Sequence, residues 1–133
     1  MIVTLHIATG ALGGALVRSP IAAAALGPIL HFYGDLVPHE YIDSRRFEIG
    51  SGVAGVLALA LVRGPFDSAT VGAIASTAPD IEHVVRLPRP GGRKLFPSHR
   101  IPGWHRPGGL TAETQLLIAG VLLGAVLSAR FRR

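Results

Sequence analysis

The chain has 133 residues, enough for one domain with a real core and too few to require a second. Its residues are 49% hydrophobic and 16% charged, mean hydropathy is +0.45, and there is no cysteine, which excludes disulfides and thiolate metal ligands. The net charge of +5 raises nucleic acid as a partner, but the arginines flank apolar runs and no aromatic residues interleave with them, so nucleic acid is set aside.

Five apolar segments predict five helices. The first covers 2–17 and closes on Arg18, with no basic charge among Met1 to Leu5 to suggest a cleaved signal peptide. The second covers 20–37, with Ser19 as cap, Pro20 in the first turn and Pro38 as its stop. The third covers 47–62 and ends at Arg63, Gly64 and Pro65. The fourth covers 67–87, capped by Asp67 and kinked near Pro79, and the fifth covers 111–129, capped by Thr111. Between the last two lies a loop, 88–110, rich in Pro and Gly and carrying Arg89, Arg93, Lys94, Arg100 and Arg106; loops of this length mark function or disorder.

The expected fold is therefore all-α: one domain, 1–133, an up-and-down bundle of five helices. Its apolar content is mostly Ala, Leu, Val, Ile and Gly, and Arg18, Arg45, Arg46, Arg63, Arg86, Arg130, Arg132 and Arg133 sit at the edges of apolar runs. Both features predict a multi-pass protein of the bacterial inner-membrane type, with membrane lipid as its surroundings. The uncharged stretches, 12–16 residues, fall short of the roughly 20 that a full span takes. Polar helix ends, snorkelling arginines and local thinning can absorb that difference, and a soluble bundle is the alternative. Trp104 is expected at headgroup depth. Gly10 and Gly14, Ala54 and Ala58, Gly72 and Ser76, and Gly120 and Gly124 repeat small residues every four positions, as helix-packing faces do.

In such a bundle the start of helix one, the ends of two and four and the start of five share one face. All six histidines fall there: His6, His31, His39, His83, His99 and His105, together with Asp35, Glu40, Asp80, Glu82, Glu113 and Gln115. The opposite face carries arginines and Asp67 and no histidine. Counting Lys and Arg puts the histidine face on the cytoplasmic side. His31 and Asp35 stand i, i+4, on one side of a helix and within reach of a shared ion. Imidazoles with carboxylates suit a divalent metal, zinc first and manganese or iron next, and a nearby carboxylate, Glu82 or Glu113, is the candidate base. Each residue also has a plain reading. His6 fits a hydrogen-bonded core position, Asp35 a partner of Arg45 or Arg46, Asp80 a helix cap, and His99 and His105 a solvated basic loop. Ser98 beside His99 is no sign of a nucleophile, because triads are built in space.

The segment His31-Phe-Tyr-Gly-Asp35-Leu-Val-Pro38-His39, then Ala78-Pro79-Asp80-Ile-Glu82-His83, then a loop with His99-Arg100 and His105, resembles the small bacterial membrane-bound metal-dependent hydrolases. The resemblance spans almost the whole chain. It implies His6, His31, Asp35, His39, Asp80 and one or both of His99 and His105 as metal ligands. The function expected is hydrolysis of a phosphate or ester group, with a lipid as the natural substrate class and Arg100 and Arg106 holding an anionic substrate. The competing expectation is a non-catalytic membrane protein with a structural or partner-binding polar site.

Overall fold

Helix α1 (Val3–Val17) has only Thr4, His6 and Thr9 among its apolar residues and no continuous polar face, and such a helix belongs either in lipid or in the middle of a protein. The computed structural model, which describes residues 1–129, puts it in the middle. Around it pack α2 (Pro20–Gly34), α3 (Arg45–Arg63), α4 (Ser68–Thr77) and α6 (Ala112–Ser128). Ile7, Ala11 and Ala15 of α1 meet Leu59, Ala69, Ala73 and Val126, while Ile2, Leu5 and Ala8 meet Ala119. Arg130, Arg132 and Arg133 lie outside the described residues.

Three of the caps stand where the sequence placed them. Ser19 accepts from the Ala22 N–H, Asp67 from that of Ala69 and Thr111 from that of Thr114. Three boundaries differ. Helix α2 ends at Gly34, three residues short of 37, with Asp35 as its C-cap. Ser44 caps α3, starting it two residues earlier than its apolar run. The fourth helix does not reach 87: at Pro79, which has no N–H, it tightens into a 3-10 turn, Ala78–Asp80, and resumes for one turn as α5 (Ile81–Val84).

The small-residue faces divide in two. Gly10 and Gly14 of α1 lie directly against α4, where a Cβ on Gly14 would collide with the Ser68 carbonyl and one on Gly10 with Gly72 and Ser76. This close approach is what sets His6 beside the end of α4. Around Gly120 and Gly124 of α6 a Cβ would meet nothing within 4 Å. Opposite signs follow for the same substitution. Gly14→Ala should destabilise the protein by at least about 1–3 kcal/mol through overpacking, whereas Gly120→Ala should stabilise it by about 0.5–1 kcal/mol through helix propensity. Denaturant unfolding of both variants checks this.

The membrane-spanning expectation finds no support in helix length. Helices α1 and α2 have 15 residues each, about 22 Å at the rise of an α-helix, against a hydrocarbon core of about 30 Å. Helix α3 is longer at 19 residues but includes Arg45, Arg46, Glu48 and Arg63. Among the described residues no helix is long and apolar enough to cross a membrane.

The long loop folds back over the histidine end. His39 N–H donates to the Arg106 carbonyl and Leu110 N–H to that of Pro38, a short parallel bridge beside Gly109, whose φ of +80° and contact with Pro38 leave no room for a side chain. Trp104 is a clamp in this loop: its Nε1–H donates to the Phe32 carbonyl at 2.9 Å and its ring packs on that of Phe32.

Candidate metal centre

Four structural pieces converge at one end of the bundle. Helix α1 brings His6, α2 brings His31 with Asp35 as its C-cap, the 3-10 turn after α4 brings Asp80, and a second 3-10 turn in the loop, Pro97–His99, brings His99. The i, i+4 spacing works as expected, with His31 Nε2 3.1 Å from Asp35 Oδ2.

Hydrogen bonding fixes which nitrogens face the centre. His31 Nδ1 lies 2.8 Å from the Ser76 carbonyl, which can only accept, so Nδ1 carries the hydrogen. His99 Nδ1 likewise donates to Glu82 Oε1 at 2.5 Å. With both Nδ1 atoms turned to these acceptors, the two Nε2 atoms face each other at 3.3 Å. His99 Nε2 is 3.6 Å from Asp35 Oδ2 and 3.6 Å from Asp80 Oδ1, and His31 Nε2 is 3.8 Å from Asp80 Oδ1. Lone pairs and carboxylates pointing at one another repel unless a positive charge lies among them.

These spacings match those of a coordination shell. Four ligands about 2.1 Å from a tetrahedral ion stand about 3.4 Å from one another. The five distances above run from 3.1 to 3.8 Å. The tethers behind the rings, a carbonyl on one and a carboxylate on the other, are the outer contacts that orient metal-ligating histidines. His6 is the fifth member: it stacks on His31 with ring centroids 4.0 Å apart, its Nε2 is 3.2 Å from Asp35 Oδ1, and it offers a ligand atom within 4.8 Å of His31 and Asp80. Its Nδ1 and Asp80 Oδ2 are buried with no hydrogen-bond partner among the described residues, and such atoms are costly unless something binds them.

Electrostatics agree with the geometry. Burial pushes the Asp80 carboxyl up to about 6, helped by the Asp35 charge. It also pulls His6 down to about 3, so the ring is neutral and able to ligate at physiological pH. Burial opposes ionisation of Asp35 too, but the imidazoles of His105, His31 and His6 against its oxygens overcome it and hold that carboxyl below the usual range.

The remaining candidates are placed differently. His105 stands at the rim, with Nε2 3.3 Å from Asp35 Oδ2 and Nδ1 3.2 Å from the Tyr41 hydroxyl. His39 has both nitrogens occupied, Nδ1 donating to the Val37 carbonyl and Nε2 lying 2.7 Å from the Met1 amine, and it joins no ligand group. Glu113 is exposed in the first turn of α6 and absent from the walls of the cleft over the centre. The Arg100 guanidinium donates to the Leu95 carbonyl, and Arg106 is exposed. Glu82 departs most from its expected role. Its Oε2 accepts from the Leu95 N–H and its Oε1 from the Phe96 N–H and His99, so it supports a ring from behind and has no oxygen free to act as a base in the cleft.

Two participants had only weak signals in the sequence. Ser98 Oγ donates to Asp35 Oδ2 at 2.6 Å, a buried contact that loop folding alone creates. His83 forms a further group with Asp80 and His99 and lines the cleft; its i, i+3 spacing from Asp80 was the available sign. The cleft, about 530 Å³, opens onto Asp35, Asp80, His99 and His105 and is bordered by Arg45 and Lys94.

Because Glu82 acts through His99, Glu82→Gln should lower metal affinity by roughly 10–100-fold, the usual effect of losing an outer contact. In a His99→Ala background it should do almost nothing, and a full additive loss in that double-mutant cycle would refute the linkage.

The site defined by this geometry is a set of overlapping triads, His31 with Asp35 and His99, His6 with His31 and Asp80, and Asp80 with His83 and His99, each of which could hold a metal ion. No family model, curated protein or solved structure matches the chain, so the hydrolase resemblance rests on the motifs themselves.

Proposed function

We propose that the protein is a metal-dependent hydrolase of phosphate or ester groups, with a divalent ion, zinc first and manganese or iron as alternatives, held by His31, His99, Asp35 and Asp80 and flanked by His6. The supporting observation is the meeting of two tethered imidazoles and a carboxylate, His31, His99 and Asp35, at coordination spacing, with Asp80 3.6–3.8 Å from both rings. A bound divalent ion supplies Lewis acidity and brings the pKa of water towards neutrality. In the hydrolysis, a water oxygen bonds to the phosphorus or acyl carbon, the bond to the leaving oxygen breaks, and that oxygen takes up a proton. His83 and His105, both on the cleft, are the residues placed to move protons, in place of Glu82 and Glu113. Arg45 and Lys94 border the cleft and draw an anionic group in, the part first given to Arg100 and Arg106.

A lipid setting is part of the proposal. Ile21 and Leu61 are each 85% exposed and Phe66 83%, with Leu16 and Leu117 close behind, more bare apolar surface than water favours. Short helices with such outer faces suit a protein embedded in or lying on lipid without requiring each helix to cross it. Metal analysis of the purified protein, with turnover of chromogenic phosphate and carboxylate esters, tests the function. Absence of stoichiometric metal ends the reading. Metal without turnover leaves a structural ion that ties the loop to the bundle.

A further inference from the structure

Beside the polar cleft runs a second cavity of a different character. It lies between α1, α3 and the α4–α5 segment, encloses about 390 Å³ and is walled by side chains such as Ile7, Val53, Leu57, Ile74 and Ile81. Thr77 and Asp80 are the polar residues in that wall. Several of the apolar ones, Val53, Leu57, Ile74 and Ile81, are about half exposed, so the groove is open and within the usual size range of a ligand site.

Its position gives it meaning. Val3, Ile49, Asp80 and Val84 belong to the walls of both cavities, so the apolar groove runs directly into the polar cleft. Asp80 stands at the junction. On the far side of that junction are two cations. Arg45 is fixed by donation to the His83 carbonyl at 2.7 Å, and Lys94 Nζ lies 3.4 Å from His83 Nδ1. A molecule filling both spaces has an anionic head beside Arg45, Lys94 and the metal ligands, and an aliphatic tail along Val53, Leu57 and Ile74.

We infer that the substrate is a single-tailed phosphoester amphiphile, with its phosphate at the metal centre and its aliphatic chain in the groove between α3 and α4. The inference rests on the hydrolase reading for the head and on the groove for the tail. The two fail separately. Each methylene moved from water into the groove should tighten binding about fourfold at most, equivalent to about 0.8 kcal/mol.

The test uses the full chain loaded with zinc and a series of n-alkylphosphonates from methyl to dodecyl, each below its micelle concentration, with Kd measured by calorimetry. Affinity is expected to rise two- to fourfold per methylene over the first several carbons and then level off as the groove fills. In Ile74→Trp, which fills the groove, the ratio of octyl to methyl affinity should collapse towards one; Leu57→Glu, a change at a half-exposed position, should do the same and serves if the tryptophan variant does not fold. Methylphosphonate binding without chain-length dependence overturns the groove and leaves the hydrolase standing. Chain-length dependence that persists in both variants also overturns it, because the tail then lies elsewhere. Chain-length dependence that is abolished by the variants yet indifferent to zinc supports the groove and removes the hydrolase.

Discussion

Replacing His31 with alanine is expected to abolish metal binding and with it all turnover, a loss well beyond the roughly 100-fold that removal of an outer contact produces. The expectation follows from what His31 alone does. Its Nε2 is within 3.1–3.8 Å of Asp35, His99 and Asp80, so three of the five spacings of the centre end on this one atom. Its Nδ1–H ties the ring to the Ser76 carbonyl on α4, and its face stacks on His6 of α1. Alanine also leaves the Ser76 carbonyl unpaired, which costs about 1–3 kcal/mol, so His31→Gln should be made beside it. Gln supplies an N–H without an imidazole lone pair. Both variants should lose zinc, measured by competition with a chromogenic chelator; a glutamine variant that bound zinc normally would remove His31 from the ligand set. His105→Ala, at the rim, should keep its zinc and lose rate instead.

How much of this was legible beforehand depended on distance along the chain. The pair His31 and Asp35 could be read because helical spacing alone puts them together. The gathering of His6, Asp80 and His99 around them needed only the alternation of helix direction, and the structure does bring these residues to one end. What could not be read was direction at the scale of a side chain. Glu82 and Asp80 are neighbours in one short segment, yet the 3-10 turn at Pro79 aims Asp80 into the centre and leaves Glu82 to receive the Leu95 and Phe96 amides. A one-turn change in helix type decides which carboxylate faces the histidines and which supports one from behind. His39 lost its expected place for a similar reason: the chain after Pro38 pairs with Leu110, and that local bridge sets its ring towards Val37.

The helices show the same limit from another side. Apolar runs and caps marked five helices to within a few residues, but apolarity alone does not say what surrounds a helix. Helix α1 looked like a span because it has no polar face; it has none because four other helices cover it. The glycines were the better clue. Gly10 and Gly14 met Gly72 and Ser76 across the α1–α4 contact, while the equally regular Gly120 and Gly124 met nothing. Spacing identified the pairs, and only the fold could say which pairs were used.

Asp80→Asn should make the metal-free protein more stable while making it unable to hold metal. In the folded chain the Asp80 carboxyl titrates at about 6, against 3.8 for an ordinary aspartate, chiefly because it is buried and secondly because Asp35 is near. A raised acid pKa means that the unfolded chain loses its proton first. Below pH 3.8 both states are protonated and Asp80 imposes no penalty. Between about 4 and 6 the unfolded state ionises while the folded one does not, and stability falls as pH rises. Above about 6 the loss is complete and amounts to about 3 kcal/mol, since each pH unit between the two titration points contributes about 1.4 kcal/mol. Asparagine removes that ionisation and can donate to the lone pairs around it. The gap in denaturant stability between variant and metal-free wild type should therefore open between about pH 4 and 6 and stay level above. Adding zinc should reverse the order at about pH 7, since it stabilises only the chain that binds it, and by an amount that grows with zinc concentration. A variant no more stable than the metal-free wild type at that pH would mean that Asp80 is satisfied without an ion. A gap that zinc closes would mean that the buried carboxylate is kept, against the interest of the fold, for the ion it binds.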